Sequence, residues 1–356
     1  MRSLAFYWKC DCPGSAENKK QTYFSDKHTP ESSAMAREIV NEFLGRSPES
    51  FECLELDGNH FAYRFAHGGN TFLLRTDDGT TEDDYMAAES VIMTLLRGQG
   101  LPVPQVFATD TNAIKYPVRY QIMEFVPYPT LLSLSRTKTL DSKAMAKEFG
   151  RFLAKLHRIQ LPGFGFIDTH VLKRETRLSG RDATWQDYFN KCLPLHLGYL
   201  RDHQLLQPQV VRQIEGLFRR HEALLDIRQG ALLHRDFAYW NILGTSTEIK
   251  AVIDWDDAVV GDPADDLGIV NCFNDPDFMD VLLASYAEEQ TPPPDLQARV
   301  PLYTLRNMLW KAMIRHYMGY FEQDANFFLN ENNTELTLKD LTLQKITQSI
   351  EQLERL

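Results

Sequence analysis

The chain has 356 residues, enough for two domains or two lobes of one catalytic unit, and 43% hydrophobic with 24% charged residues is the balance of a globular protein that buries a sizeable core. A formal net charge of −11 argues against a nucleic-acid partner, because phosphate backbones call for basic surface. No apolar run approaches the ~20 residues that cross a bilayer. The LAFYW run after Arg2 is too short for a secretory signal, so the expectation is a cytoplasmic protein with no membrane partner.

In chain order, residues 1–50 read as an N-terminal extension followed by a helix. Cys10-Asp11-Cys12 offers two thiolates, but no second close pair completes a tetrahedral zinc set, and a surface turn is the favoured reading. Together with Cys53, Cys192 and Cys272 these cysteines form no paired framework, which suits a reducing compartment. The amphipathic stretch SSAMAREIVNEFLG predicts a helix over 32–45, with Ser33 as cap and Gly45 as stop.

From Phe51 the period changes. FECLELDG, HFAYRFAHGGN and TFLLRTDDG predict three strands separated by glycine-containing turns, then a helix from about Glu82 to Arg97, then strands in LPVPQVFATD and VRYQIMEFV. Residues 51–126 thus read as a small five-stranded sheet with one key helix. Residues 127–356 read as a larger, mainly helical part. Asp141 is placed to cap a helix whose Met145, Phe149, Phe152, Leu153 and Leu156 share one face. Further helices are expected over 185–203, 208–225, 278–289, 303–322 and 338–356. Between them lie two short apolar runs, ALLH and IKAVIDW.

These two runs bracket LLHRDFAYWNIL (232–243), the stretch that carries chemistry. Asp236 stands at the end of a strand-like run and Asn241 follows five residues later, within reach of one tight loop. A hairpin would bring Asp254 beside Asn241, so that an acid, an amide and a second acid face one cleft. Phosphoryl transfer asks for such a set: a carboxylate for the acceptor hydroxyl, and oxygen ligands for a magnesium ion that bridges the phosphates. Alone, each residue reads as a turn or cap residue. The pattern H-x-D-x-x-x-x-N followed by V-I-D-W is rarely accidental.

His234-Arg235-Asp236 with Asn241 is spelled like a protein-kinase catalytic loop, yet Asp254 is followed by Trp255-Asp256 where protein kinases carry D-F-G and a long activation segment. LLHRDFAYWNIL followed by AVIDWDDAVVGDPADDLG instead resembles the aminoglycoside phosphotransferase and choline-kinase-like family. PVPQVFATD, IMEFVP, FGRFLAKLH and LPGFGFID stand in the order that family shows, and TFLLR, PGFG and ATWQDYF look nearest its hygromycin phosphotransferase branch. The resemblance implies an α+β, bilobal protein-kinase-like fold and an ATP-dependent (or GTP-dependent) kinase of a small hydroxyl compound.

Carried over by position, Asp236 would be the catalytic base, with Asn241 and Asp254 holding Mg2+ in the segment 252–268. His234 and Asp266 would support the loop. Met123 would sit behind the adenine, and backbone atoms of Glu124 and Val126 would bond its edge. Arg75 stands where many kinases place a phosphate-gripping lysine, with Glu89 placed to pair with it. Arg keeps the charge but not the reach of an ammonium. The turn Asp57–His60, with Gly58 and Asn59, would lay backbone N–H groups over the phosphates.

A catalytically silent nucleotide-binding scaffold is the alternative. It rests on Arg75 and on the bulky Tyr239-Trp240 pair. Asp256, Asp257, Asp265, Asp275 and Asp277 make the region after the metal ligand acidic and suggest an amine-bearing acceptor. Trp185, Tyr188, Trp310, His316, Tyr317 and Tyr320 are candidates for lining its pocket.

Overall fold

The computed structural model describes residues 29–54, 61–77, 85–323 and 336–356. Cys10, Cys12, Gly58 and Asn59 lie outside them. The chain divides into two compact units, one ending at Pro127 and the other running from Tyr128 to Leu356.

In the first unit, α1 (Pro30–Leu44) begins two residues before the expected Ser32. Thr29 rather than Ser33 caps it: its side chain accepts the Ser32 N–H at 3.1 Å while Ser32 accepts the Thr29 N–H at 2.9 Å. Gly45 ends the helix in the left-handed region at φ 68°. Strands β1 (Ser50–Leu54), β2 (Phe61–His67) and β3 (Asn70–Thr76) precede α2 (Tyr85–Gly98), β4 (Val106–Asp110) and β5 (Tyr120–Glu124). The strands form one antiparallel sheet in the order β1-β2-β3-β5-β4. Alternating side chains of β2, β3 and β5 meet the apolar face of α1, burying Ile39, Val40, Tyr63, Phe65, Leu74 and Ile122. The buried face of α2 carries Glu89 among Met86, Ile92, Met93 and Leu96, so that carboxylate requires a partner.

The second unit opens with α3 (Leu131–Arg136) and α4 (Ser142–Leu156). Asp141 caps α4 by accepting the Ala144 N–H at 3.0 Å. Then come β6 (Gln160–Leu161), β7 (Phe164–Ile167), α5 (Thr169–Glu175), β8 (Gly180–Asp182), α6 (Trp185–Asn190), α7 (Leu193–Asp202) and α8 (Pro208–Arg220). The single helix expected over 185–203 is broken because Pro194 fits only the first turn of a new one. Strands β9 (Gly230–Leu233), β10 (Ile242–Gly244), β11 (Ile249–Val252) and β12 (Val259–Gly261) lead to α9 (Pro263–Phe273), α10 (Pro276–Glu289), α11 (Leu296–Tyr317) and α12 (Leu338–Glu354). A short-stranded sheet runs β6-β9-β12-β7-β8, and β10 pairs with β11 as a separate hairpin. The α11 helix starts seven residues before the expected Tyr303 and carries Pro301 inside it.

Candidate active site

The catalytic-loop stretch leaves β9 at Leu233 and turns through Arg235, which sits at φ 69°, a left-handed conformation that a side chain disfavours. The carboxylate of Asp266, itself fully buried on α9, stabilises this turn. One oxygen accepts the His234 N–H at 2.9 Å and the other the Arg235 N–H at 2.8 Å. His157, the residue after α4, lies 3.3 Å from the first oxygen. Burial by itself pushes the Asp266 carboxyl up. His157 and the Arg235 N–H more than offset this and hold it below the usual carboxylate range.

The His234 ring fixes the next step of the loop. Its Nδ1 accepts the Asp236 N–H at 3.2 Å, so the ring hydrogen is on Nε2, which donates to the Ile253 carbonyl at 3.0 Å. One imidazole thereby ties Asp236 to the residue preceding Asp254.

Asp236 is gripped on one oxygen. Its Oδ2 accepts the Trp240 indole N–H and an Asn241 amide N–H, each at 2.9 Å. The same Asn241 nitrogen donates to the Asp236 carbonyl, also at 2.9 Å. The amide nitrogen is therefore committed, and the Asn241 oxygen is the end offered elsewhere. The β10–β11 hairpin places Asp254 next in line: Ile253 N–H donates to the Asn241 carbonyl at 3.0 Å, and Asp254 sits at φ 66°. An amide oxygen and a carboxylate fit a magnesium ion that takes its remaining ligands from phosphates and water. Among the described residues no group of three or more His, Cys, Asp or Glu could enclose a metal by itself.

One residue at this site has no signal in the sequence. Lys311 of α11 places its ammonium 3.4 Å from Asp236 Oδ1, with the Trp310 and Phe273 rings 4.7 and 5.0 Å away. Burial pushes the Lys311 amine down, and the Asp236 charge pulls it partly back. Arg235 turns inward: its guanidinium meets Asp265 at 2.9 Å and the Asn307 side-chain oxygen at 2.5 Å.

In the first unit, Arg75 of β3 forks onto Glu89 of α2 with N···O distances of 2.6 and 3.3 Å. Glu89 is 1% exposed, so the pair supplies the partner its burial demands. Met123 is buried on β5. The Glu124 N–H donates to the Gln105 carbonyl, and its side chain meets Arg97 at 3.2 Å; Val126 follows two residues after the strand.

Two carboxylates of the acidic region have structural partners. Asp265 is buried against Arg235 and Asn307, and Asp275 caps α10 by accepting the Phe278 N–H at 2.8 Å. Of the candidate pocket aromatics, Trp185 lies in the core with its indole N–H on the Tyr303 hydroxyl at 2.8 Å, and Tyr320 is buried too.

A family model described as the phosphotransferase enzyme family matches residues 55–299. The chain belongs to that family. The hygromycin-B 4-O-kinase of Escherichia coli is 25% identical over 206 residues, which are 56% of this chain and 55% of that protein. The chain thus matches about half the length of this relative. The fold of the phosphotransferase is shared more widely. A thermostable mutant of aminoglycoside phosphotransferase APH(4)-Ia, in ternary complex with AMP-PNP and hygromycin B, superposes with a TM-score of 0.62 at 19% identity over 89% of this chain and 98% of that one. A putative fructosamine-3-kinase from Thermobifida fusca gives a TM-score of 0.61 at 20% identity over 90% and 98%.

Proposed function

We propose that this phosphotransferase is an ATP-dependent kinase that transfers the γ-phosphoryl group to a hydroxyl of a small acceptor. The observation that carries this reading is the grip on Asp236. Trp240 and Asn241 hold Oδ2 and so orient the carboxylate, and Oδ1, 3.4 Å from the Lys311 ammonium, would take the acceptor's proton. The hydroxyl oxygen then bonds to the γ-phosphorus as the bond to the β–γ bridging oxygen breaks, giving a phosphate ester and ADP. General-base assistance of this kind contributes ~10²–10⁴-fold in rate. Asn241 and Asp254 would hold magnesium, which when bound offsets the phosphate charge. Arg75, steadied by Glu89, would meet the phosphates, and Met123, Glu124 and Val126 would frame the base.

Both features that spoke for a silent scaffold are engaged. Arg75 is paired as a kinase lysine would be, and the bulky Trp240 holds the base rather than filling its place. Among the described residues no helix is long and apolar enough to cross a membrane. ADP release by the purified chain against a panel of hydroxyl compounds, with ATP and with GTP, tests the reading. Asp236→Ala should keep nucleotide binding and lose product; a variant that turns over at the wild-type rate would remove Asp236 from its role.

A further inference from the structure

The second unit contains a cavity of about 470 Å³, a size suited to a small molecule. Tyr239 of the catalytic loop forms one wall and Phe273, at the end of α9, another; Arg315 of α11 and Lys345 of α12 face it. The Phe273 ring is shared with the catalytic loop: the Trp240 ring packs on it at 4.9 Å and the Lys311 ammonium at 5.0 Å, while the Arg315 guanidinium lies 6.0 Å away. The cavity is therefore one aromatic ring from the groups that grip Asp236.

Its charge is cationic. Among the described lining residues the ionisable carboxylate is Asp275, whose Oδ1 is occupied by the Phe278 N–H. The Lys345 ammonium donates to the Asn274 carbonyl at 3.2 Å and, half-buried, is pushed down in pKa by desolvation, which Cys272 and the Asp275 carboxylate only partly oppose. Arg315 is buried and donates to the Thr342 hydroxyl at 2.7 Å. Lys311, Arg315 and Lys345 act together on one reporter. Burial pushes the Cys272 thiol up to about 11, and all three cations oppose that rise. A desolvated ammonium held by a carbonyl gains from an anion brought to it, and a second ammonium brought there is repelled.

We propose that this cavity is the acceptor subsite and that it selects a hydroxyl compound bearing an anionic group, a carboxylate or a phosphate, held by Lys345 and Arg315. The assignment of the cavity to the acceptor rests on the kinase reading; its affinity for anions does not. The proposal departs from the amine-bearing acceptor suggested by the acidic sequence, of whose five carboxylates Asp265 pairs with Arg235 and Asp275 caps a helix.

The test uses four probes on one three-carbon frame: glycerol, serinol, glycerate and glycerol phosphate. Each is titrated into the full chain without nucleotide, and the melting temperature is followed. Glycerate or glycerol phosphate should raise it saturably, glycerol and serinol should not, and comparing the two anions identifies the preferred group. Lys345→Met should weaken the anion about tenfold or more, a loss of ~1.4 kcal/mol or greater, while melting like the wild type without ligand. Lys345→Arg should restore part of the affinity. Binding of serinol in preference to the anions, equal binding by Lys345→Met, or no saturable response to either anion would overturn the proposal. Anion binding without ADP release from any acceptor would leave the anion site standing and remove the kinase reading. ADP release with a cationic acceptor and no anion binding would do the reverse.

Discussion

Asp266→Asn isolates the group that holds the catalytic loop in its left-handed turn. The asparagine keeps the shape but has one acceptor oxygen. If that oxygen takes the Arg235 N–H, the amide nitrogen faces the His234 N–H, donor against donor, at a site where both side chains are fully buried. The replaced oxygen's bonds to the His234 N–H and to His157 are lost and the buried His234 N–H is left unsatisfied, together costing about 3 kcal/mol or more. For a unit of this size that lowers the melting temperature by about 6–12 °C. Chemical denaturation at neutral pH measures the difference.

The same residue shapes the pH dependence of stability. The folded-state pKa of Asp266 is depressed, so its contribution is fully present above the ordinary carboxylate value of about 3.9 and is lost as pH falls through the lower folded value. Asp265 works oppositely, since burial raises it against the pull of Arg235, and its cost is relieved on acidification. The wild type should therefore lose stability below pH ~4 more steeply than Asp266→Asn. Equal unfolding midpoints at neutral pH, or parallel acid limbs, would refute this account of the turn.

Trp240→Phe removes the indole N–H from Asp236 and keeps a ring against Phe273. With Asn241 still on Oδ2, kcat should fall about tenfold with the melting temperature unchanged, measured on whichever acceptor the ADP-release panel reveals. Glu89→Gln replaces the charge opposite Arg75 in a pocket where Glu89 is 1% exposed, and nucleotide affinity by equilibrium titration should fall about tenfold. Gly261→Ala would drive a methyl group into the Trp185 ring. That ring is pinned by its bond to Tyr303, and β12 is held between β9 and β7, so neither yields easily; a loss of about 3 kcal/mol in denaturant unfolding is expected.

What could be read from the sequence was whatever is local. The spacing of Asp236, Asn241 and Asp254 is set by one loop and one hairpin, and the five strands of the first unit alternate plainly enough to be counted. The Asp141 cap lies three residues from its N–H. Helix α9 escaped because it is buried nearly all round: Ala264, Leu267, Ile269 and Val270 share the interior with Asp265 and Asp266, so no polar face marks a period. The strands of the second sheet are two to four residues long, too short to show alternation. Lys311 was invisible for a different reason. It stands 75 positions from Asp236, and only the packing of α11 brings the two together.

The arginine that gave the loop its protein-kinase spelling has a different partner in this fold. In kinases regulated by phosphorylation, arginines pair with a phosphate on the activation loop and order it. Here the Arg235 guanidinium is taken up from within by Asp265 at 2.9 Å and by Asn307, whose own side-chain N–H closes the network on Asp265 at 2.9 Å. Between Asp254 and α9 there is room only for a short turn over Trp255–Asp257 and the three residues of β12. That stretch is itself fixed: the Trp255 indole N–H donates to the Val252 carbonyl at 3.0 Å, its ring lies 4.5 Å from that of His234, and β12 is hydrogen-bonded on both sides. The charge that a regulated kinase would satisfy with an added phosphate is satisfied here by a residue adjacent to Asp266, which holds the turn. The same helix therefore both neutralises the arginine and shapes its backbone.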